Sequence, residues 1–378
     1  MLRLFFVIDS LKVGGAQNQL LQLVRSLDKQ EYKLAVCPVW PIMDFEKEFR
    51  NTGLEIVRAH KRFSLDITEV FRLAKSMRRF KPDVVHTWLF TGSLWGRMAA
   101  IFARVPVIIS GERAVCPDEK KPAFILPVNR LLSHWTDVIV ANSGVGIEAL
   151  KSEGLNPGKL RLIYNGVDLR GFSPANVNLY RRVIREKLGI DQNTFTLGSV
   201  GRLTEQKGQI MLLHVAKCLI EKGVDFRWLI IGMGEDQNKL EELASKLGIC
   251  NYVSFLGQRF DIPQLLSTLD LFVLTSFWEG MPNVVLEAMA TGLPVIATAA
   301  AGTVEVVDHG YTGILTPVGD TRLMTDNILK LFVDPHLREN MGTSGRKRIE
   351  EEFSLENMVA RTTDLYHELM VRKKLVVG

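Results

Sequence analysis

The chain has 378 residues, more than one hydrophobic core usually serves, and a prior of about 150 residues per domain divides it into two cores with a remainder. With 47% hydrophobic and 24% charged residues it matches globular averages, which excludes a disordered or fibrous protein. Its net charge of +5 is lopsided: 25 Lys and Arg stand against 17 Asp and Glu up to Phe172, and 22 against 25 after it.

A basic first half suits an anionic membrane or a phosphate-bearing acceptor. Nucleic acid is not expected as a partner, because no stacking aromatics are interleaved with the charges. The opening MLRLFFVIDS is broken by Asp9, too short to span a membrane and without a signal-peptide cleavage pattern. It reads as a buried strand, Arg3 to Ile8. No later stretch approaches the roughly 18 apolar residues a span needs. Cys37, Cys116, Cys218 and Cys250 lie far apart without a C-x-x-C pair, which argues against a zinc site or disulfide framework and fits a cytoplasmic location.

Directly after the first strand comes SLKVGGAQNQLLQLVRSL, Ser10 to Leu27, in which Gly14 and Gly15 precede an amphipathic helix. Backbone without side chains permits close approach of a ligand, and a plain tight turn has the same signature. Further strands are expected at Leu34 to Pro38, Asp83 to His86, Val107 to Ser110, Val138 to Ala141 and Leu160 to Tyr164. Between them, the segment Arg58 to Lys81 carries Arg58, Lys61, Arg62, Arg72, Lys75, Arg78, Arg79 and Lys81, with Phe71, Ala74, Met77 and Phe80 at helical spacing. Such a helix either turns its apolar stripe to the core or lies on an anionic bilayer as a peripheral contact. The strand-end residues His86, Glu112, Arg113 and Asn142 are candidates for the acceptor side, His86 also for catalysis. His86 stands beside Trp88 and Phe90, where a structural place is equally natural, and Ser143 reads first as a helix cap.

From Asn165 the run NGVDLRGFSPAN collects Gly, Asn and Pro. The expected division is therefore a first domain over residues 1–170, a linker over 171–194, a second domain over 195–355, and a last helix over 356–378 that packs back toward the first domain. Strands restart near Phe195 to Val200, Trp228 to Ile231, Val253 to Leu256, Leu271 to Leu274, Val295 to Ala297 and Gly313 to Leu315. Two α/β domains, each with a doubly wound parallel sheet, follow from this alternation. Ligands in such sheets sit beyond the carboxyl ends of the strands.

At one such end lies GSVGRLTEQKG, Gly198 to Gly208, with Arg202 and Lys207 on the loop before a helix. Two solvated cations with Glu205 as local partner are the plain alternative. The most specific segment is FWEGMPNVVLEAMATGLPVIAT, Phe277 to Thr298, with a helix expected from about Pro282. The free amides beyond it, at Asn283 and Val284, make a ready diphosphate site. Glu279 on the loop and Glu287 about one turn inside the helix flank that site, placed to accept hydrogen bonds from sugar and ribose hydroxyls. Either glutamate alone would merely favour the helix dipole, by about 0.3–1 kcal/mol. No D-x-D occurs, so the charge on a departing nucleoside diphosphate falls to Arg202, Lys207 and the helix N-terminus, with no metal and no cofactor expected.

These motifs together resemble the retaining glycosyltransferases of family 4, with the GT-B fold of two Rossmann-like domains facing across a cleft. The likeness rests on Gly14-Gly15, NGVD at Asn165 to Asp168, GRLTEQKG at Gly201 to Gly208, FLG at Phe255 to Gly257 and EGMPNVVLE at Glu279 to Glu287, and covers nearly the whole chain. It implies that Arg202 and Lys207 hold the donor diphosphate, Glu287 the ribose and Glu279 the transferred sugar. Leu256 and Gly257 then border the base, Gly280, Met281, Asn283 and Val284 complete the donor set, and the Gly15 amide meets phosphate across the cleft. Transfer with retained configuration follows a front-face route in which the leaving phosphate takes the acceptor's proton. Many relatives carry a second His where this chain has Trp88, and some offer a phosphate-binding amide where it has Pro282.

The function expected is transfer of a sugar from a nucleoside-diphosphate sugar, a UDP-sugar, to a glycan or lipid-linked acceptor of a surface polysaccharide or lipopolysaccharide. The work would be done in the cytoplasm or on the cytoplasmic face of the membrane. A nucleotide-sugar epimerase of the same architecture is the alternative, but it needs more histidines around the sugar. A dehydrogenase is a third reading: Gly232-Met233-Gly234 begins a dinucleotide fingerprint, yet Gln237 occupies the place of its third glycine.

Overall fold

In β1 (Leu2–Ile8), Leu4, Phe6 and Ile8 enter one hydrophobic cluster while Phe5 and Val7 enter another, all fully buried. Successive side chains of a strand point to opposite faces, so a strand this apolar needs cover on both. The computed structural model describes residues 1–61, 63, 66–113 and 125–374. It divides into two units, Met1–Gly166 with Leu355–Gly378, and Val167–Ser354.

The first unit alternates strand and helix: α1 (Gly15–Ser26), β2 (Tyr32–Pro38), α2 (Glu46–Arg50), β3 (Glu55–Ile56), α3 (Thr68–Phe80), β4 (Val84–Trp88), α4 (Phe90–Ala103), β5 (Val107–Glu112), α5 (Ile125–Ser133), β6 (Val138–Ala141), α6 (Gly144–Ser152) and β7 (Leu160–Leu162). The strands pair in parallel in the order β3-β2-β1-β4-β5-β6-β7, so the direction of winding reverses between β1 and β4. Ser143 caps α6 by accepting from the Gly146 amide at 3.1 Å. In α3 the residues Val70, Ala74, Met77 and Phe80 face the core, whereas Phe71 is 60% exposed and packs on Phe102. Arg62 and Cys116 lie outside the described residues.

The second unit opens with α7 (Pro174–Lys187), continues through β8 (Phe195–Val200), α8 (Gln209–Glu221), β9 (Phe226–Ile231), α9 (Gln237–Lys246), β10 (Val253–Phe255), α10 (Ile262–Leu266), β11 (Leu271–Leu274), α11 (Asn283–Ala290), β12 (Val295–Thr298), α12 (Thr303–Val306) and β13 (Ile314–Thr316), and ends in α13 (Thr321–Val333) and α14 (Pro335–Glu352). Its parallel order is β10-β9-β8-β11-β12-β13, with the reversal between β8 and β11. The chain then returns to the first unit as α15 (Leu355–Arg372), whose Leu355, Met358, Leu365 and Tyr366 join the cluster of Leu4, Phe6 and Ile8.

Two expectations need correction. Residues 171–194 are not a plain linker, because α7 occupies most of them. That helix leaves Leu179 and Val183 exposed and anchors itself through Arg185, fully buried, which donates to Thr268 O at 2.9 Å and Asp270 Oδ2 at 2.8 Å. Its half-buried Val177, Tyr180 and Ile184 lie at helical spacing, but the Gly, Asn and Pro run that leads into the helix reads as a linker. Pro282 in turn is the residue before α11 rather than its first.

Candidate active site

In the second unit the sheet reverses at β8 and β11, and the loops that leave their carboxyl ends are Gly201 to Gly208 and Thr275 to Pro282. Several bonds fasten them together: Phe277 N to Gln206 O at 2.8 Å, Gln206 Nε2 to Trp278 O at 3.0 Å, and Thr275 Oγ1 to Lys207 O at 2.9 Å. Gly208 sits at φ 62°, and a Cβ there would run into the Thr275 carbonyl, so the close approach requires glycine. Fastened in this way, Lys207 Nζ donates to Glu279 Oε1 at 2.5 Å. The Ser276 hydroxyl donates to the same oxygen at 2.6 Å. Both bonds fall on Oε1. The partner of Lys207 is therefore Glu279, 72 residues away, and not the local Glu205. Arg202 is exposed and donates to Gln206 at 3.2 Å.

Beside this pair the chain enters α11, where the Val285 and Leu286 amides donate to Pro282 O at 3.0 and 3.4 Å. Gly280, Met281, Asn283 and Val284 occupy that entrance. Glu287 is half-buried on α11, and burial pushes its carboxyl up to about 7. Leu256 and Gly257 follow β10, where Gly257 O accepts from the Gly232 amide at 2.9 Å and Leu256 N donates to Ile230 O. A small pocket at the sheet's reversal is lined by Gly201, Lys207, Ile231 and Thr275. The unit thus gathers Arg202, Lys207, Leu256, Gly257, Glu279, Gly280, Met281, Asn283, Val284 and Glu287 around the carboxyl ends of neighbouring strands. Among the described residues no set of three His, Cys, Asp or Glu side chains is grouped to hold a metal ion.

Gly15, His86, Glu112, Arg113 and Asn142 belong to the first unit. Gly15 opens α1. Next to that turn, Asp9 accepts from the Gly92 amide at 2.5 Å, and burial holds its carboxyl up at about 6 despite that bond. Leu89 stands at φ 63° and ψ 175°, a region essentially reserved for glycine, at the junction of β4 and α4. His86 is 2% exposed, and burial, with Arg113 adding to it, pushes its imidazole down to about 3. Its Nδ1 lies 2.7 Å from Tyr366 Oη on α15. The enclosed ring packs against Trp88 and Tyr366. Arg113 stacks on Trp88 at 3.6 Å and donates to Asn165 Oδ1 at 2.7 Å, which also receives Asn142 Nδ2 at 3.5 Å. Asn165 was read in sequence only as part of NGVD, and its junction role with Arg113 and Asn142 carries no local signal. Gln19 is similar: it brackets Gly166 with bonds of 2.8 and 3.0 Å.

Family models bear directly on this geometry. The one described as Glycosyltransferase Family 4 matches residues 13–170, and the one described as Glycosyl transferases group 1 matches residues 181–348. The chain is 30% identical over 321 residues to an Escherichia coli UDP-Gal:alpha-D-GlcNAc-diphosphoundecaprenol alpha-1,3-galactosyltransferase, covering 82% of this chain and 81% of that one. It is 32% identical over 364 residues to the lipopolysaccharide core biosynthesis glycosyltransferase LpsE of Rhizobium meliloti, covering 96% and 97%. The crystal structure of Anabaena HepE in complex with UDP-glucose shares the fold, with a TM-score of 0.85, 23% identity, and coverage of 97% and 100%. The chain belongs to the GT-B glycosyltransferases, enzymes that move a sugar from a nucleotide-sugar donor to an acceptor.

Proposed function

We propose that this chain is a retaining, metal-independent hexosyltransferase that uses a UDP-sugar to extend a glycan or lipid-linked acceptor of a bacterial-type surface polysaccharide or lipopolysaccharide. The observation that carries the reading is the Lys207–Glu279 pair, bonded at 2.5 Å beside the amino end of α11. Lys207 and Arg202 hold the diphosphate together with the first-turn amides of α11. Glu279 Oε2 accepts from a hydroxyl of the transferred sugar, Glu287 accepts from the ribose, and Leu256 and Gly257 border the base. As the anomeric carbon parts from the diphosphate oxygen, negative charge grows on the leaving phosphate. Fixed positive groups stabilise that charge more than they stabilise the bound donor. The acceptor hydroxyl attacks from the same face, and its proton passes to the leaving phosphate, so no protein nucleophile takes part.

The names of the E. coli and Rhizobium relatives, one specifying a UDP-sugar donor with a diphosphoundecaprenol-linked acceptor and the other lipopolysaccharide core synthesis, support this choice of donor and acceptor. On the acceptor side we place Arg113, Glu112 and Asn142, with His86 holding Trp88 and Tyr366 in position. A lipid-linked acceptor calls for work at the cytoplasmic face of a membrane, reached by peripheral contact through the basic first unit. Among the described residues no helix is long and apolar enough to cross a membrane. The test is a screen of UDP-, GDP- and ADP-sugars for hydrolysis and transfer in EDTA. UDP-sugar turnover that disappears in Lys207→Ala is expected; strict dependence on a divalent ion would overturn the mechanism.

A further inference from the structure

The amino ends of β5, β6 and β7, at the far end of the first unit's sheet from the strand ends discussed so far, border a pocket of about 330 Å³ with an unusual charge balance. Four cations line it, Arg104, Lys159, Arg372 and Lys373, against one carboxylate, Asp137. That carboxylate is already engaged: Lys373 Nζ lies 2.8 Å from Asp137 Oδ1, and Oδ2 accepts from the Ile108 amide at 2.9 Å. Lys159 donates to the carbonyls of Ser133, His134 and Thr136 at 2.7 to 3.2 Å, so it caps the end of α5 and adds field rather than donors. Burial, with Arg372 and Lys373 close by, holds its ammonium below the usual range, while Asp137 opposes the shift. The two guanidinium groups remain. Arg104 is fixed by its left-handed backbone at φ 57°, which caps α4, and neither it nor Arg372 pairs with a carboxylate among the described residues.

Exposed apolar and aromatic side chains stand at the pocket or near its lining in sequence. Trp135 lines the pocket and is 53% exposed, Leu131 one turn before it is 56% exposed, and Phe102, two residues before Arg104, is 52% exposed. Phe71 packs on Phe102 with the rings tilted by 39°, and Arg78 donates to the Phe102 carbonyl at 2.6 Å, so the mixture of rings and cations continues onto α3. Forked donors and an amphipathic ring lining one pocket, with more exposed apolar side chains nearby, suit a phosphate group attached to a bilayer more than a phosphate free in water.

We infer that this pocket is a second anion site, separate from the donor's, which takes the phosphate of an anionic lipid headgroup and seats the first unit on the membrane. It deepens the membrane contact proposed above and rests on that part of the reading, but not on the donor assignments. The experiment sediments the full chain with phosphatidylcholine vesicles, with and without phosphatidylglycerol, and compares Arg104→Gln/Arg372→Gln with Arg25→Gln/Lys29→Gln, an equal loss of exposed charge elsewhere on the same unit. The pocket pair is expected to lower partitioning onto phosphatidylglycerol vesicles about 25-fold, at about five-fold per cation, with the control pair changing it far less. Equal losses in both pairs, or none in the pocket pair, would overturn the site. Glycerol phosphate that binds saturably to the wild type while vesicles do not would overturn the lipid source. Stabilisation by UDP, measured on the same variants, reports the donor site separately and is expected to be unchanged.

Discussion

At Glu279 one oxygen receives both an ammonium and a hydroxyl, and that arrangement makes Lys207 answerable for folding as well as chemistry. The Lys207 side chain is 14% exposed and that of Glu279 7%, so Lys207→Ala strands a nearly buried carboxylate with Ser276 as its single donor. Loss of about 3–5 kcal/mol of stability is expected by urea titration, with a fall of about 100- to 1,000-fold in sugar transfer at a temperature where the variant is folded. Full activity would remove Lys207 from the site. Glu287 makes a prediction in pH. Its folded-state value of about 7 lies above the ordinary 4.5, so the protonated form favours folding. The resulting stability is fully present below the ordinary value and is lost as pH rises through the folded one, by on the order of 2 kcal/mol once partial exposure is allowed for. Glu287→Gln cannot titrate, so thermal melts should show the variant gaining on the wild type from about pH 5 to about pH 8, while UDP stabilises it less. Parallel melting curves would contradict this. Residue type and position mark Lys207, Glu279 and Glu287 in the sequence, but the Lys207–Glu279 bond spans 72 residues, and Ser276 has no signature beyond adjacency.

Elements with an apolar period were legible; those held by other means were not. β1, β8 and β11 are short apolar runs, and α1 shows its buried face through Leu20, Leu21, Leu23 and Val24. α11 announced itself through Pro282, since a residue without an amide donor suits the start of a helix. β3 has two residues, too few for any pattern. α7 begins inside the Gly, Asn and Pro run that reads as a linker, and it is anchored by Arg185, whose guanidinium also serves the carbonyls of Asp191, Gln192 and Thr194 and so ties the helix to the start of β8. Arg185→Ala should leave Asp270 and these carbonyls with fewer partners and cost about 3–5 kcal/mol by urea unfolding, whereas exposed Arg182→Ala should cost less than about 1 kcal/mol. Equal effects of the two substitutions would mean that α7 is not held by this anchor.

On the scale of the molecule, two runs of alternating strand and helix separated by a Gly, Asn and Pro cluster made two α/β units readable from sequence. The first unit is assembled from both ends of the chain, and what local pattern does not carry is which residues fasten the last helix to it. Tyr366 meets His86 across 280 residues, and Leu365, Leu369 and Met370 complete a cluster begun by Leu4 and Phe6. A chain stopped at Ser354 should therefore lose the cooperative unfolding of the first unit, seen as a missing calorimetric transition, while the second unit, which lacks no element, still melts and still responds to UDP. Retention of both transitions would show that α15 is dispensable to the core it enters. Underlying every functional statement is the claim that fixed cations and backbone amides, with no bound metal, receive the donor's diphosphate in the second unit. The most direct measurement is a crystal structure of the UDP complex grown in EDTA. The diphosphate is expected within hydrogen-bonding distance of the Arg202 guanidinium and Lys207 Nζ, against the first turn of α11; UDP seated away from both side chains would contradict it.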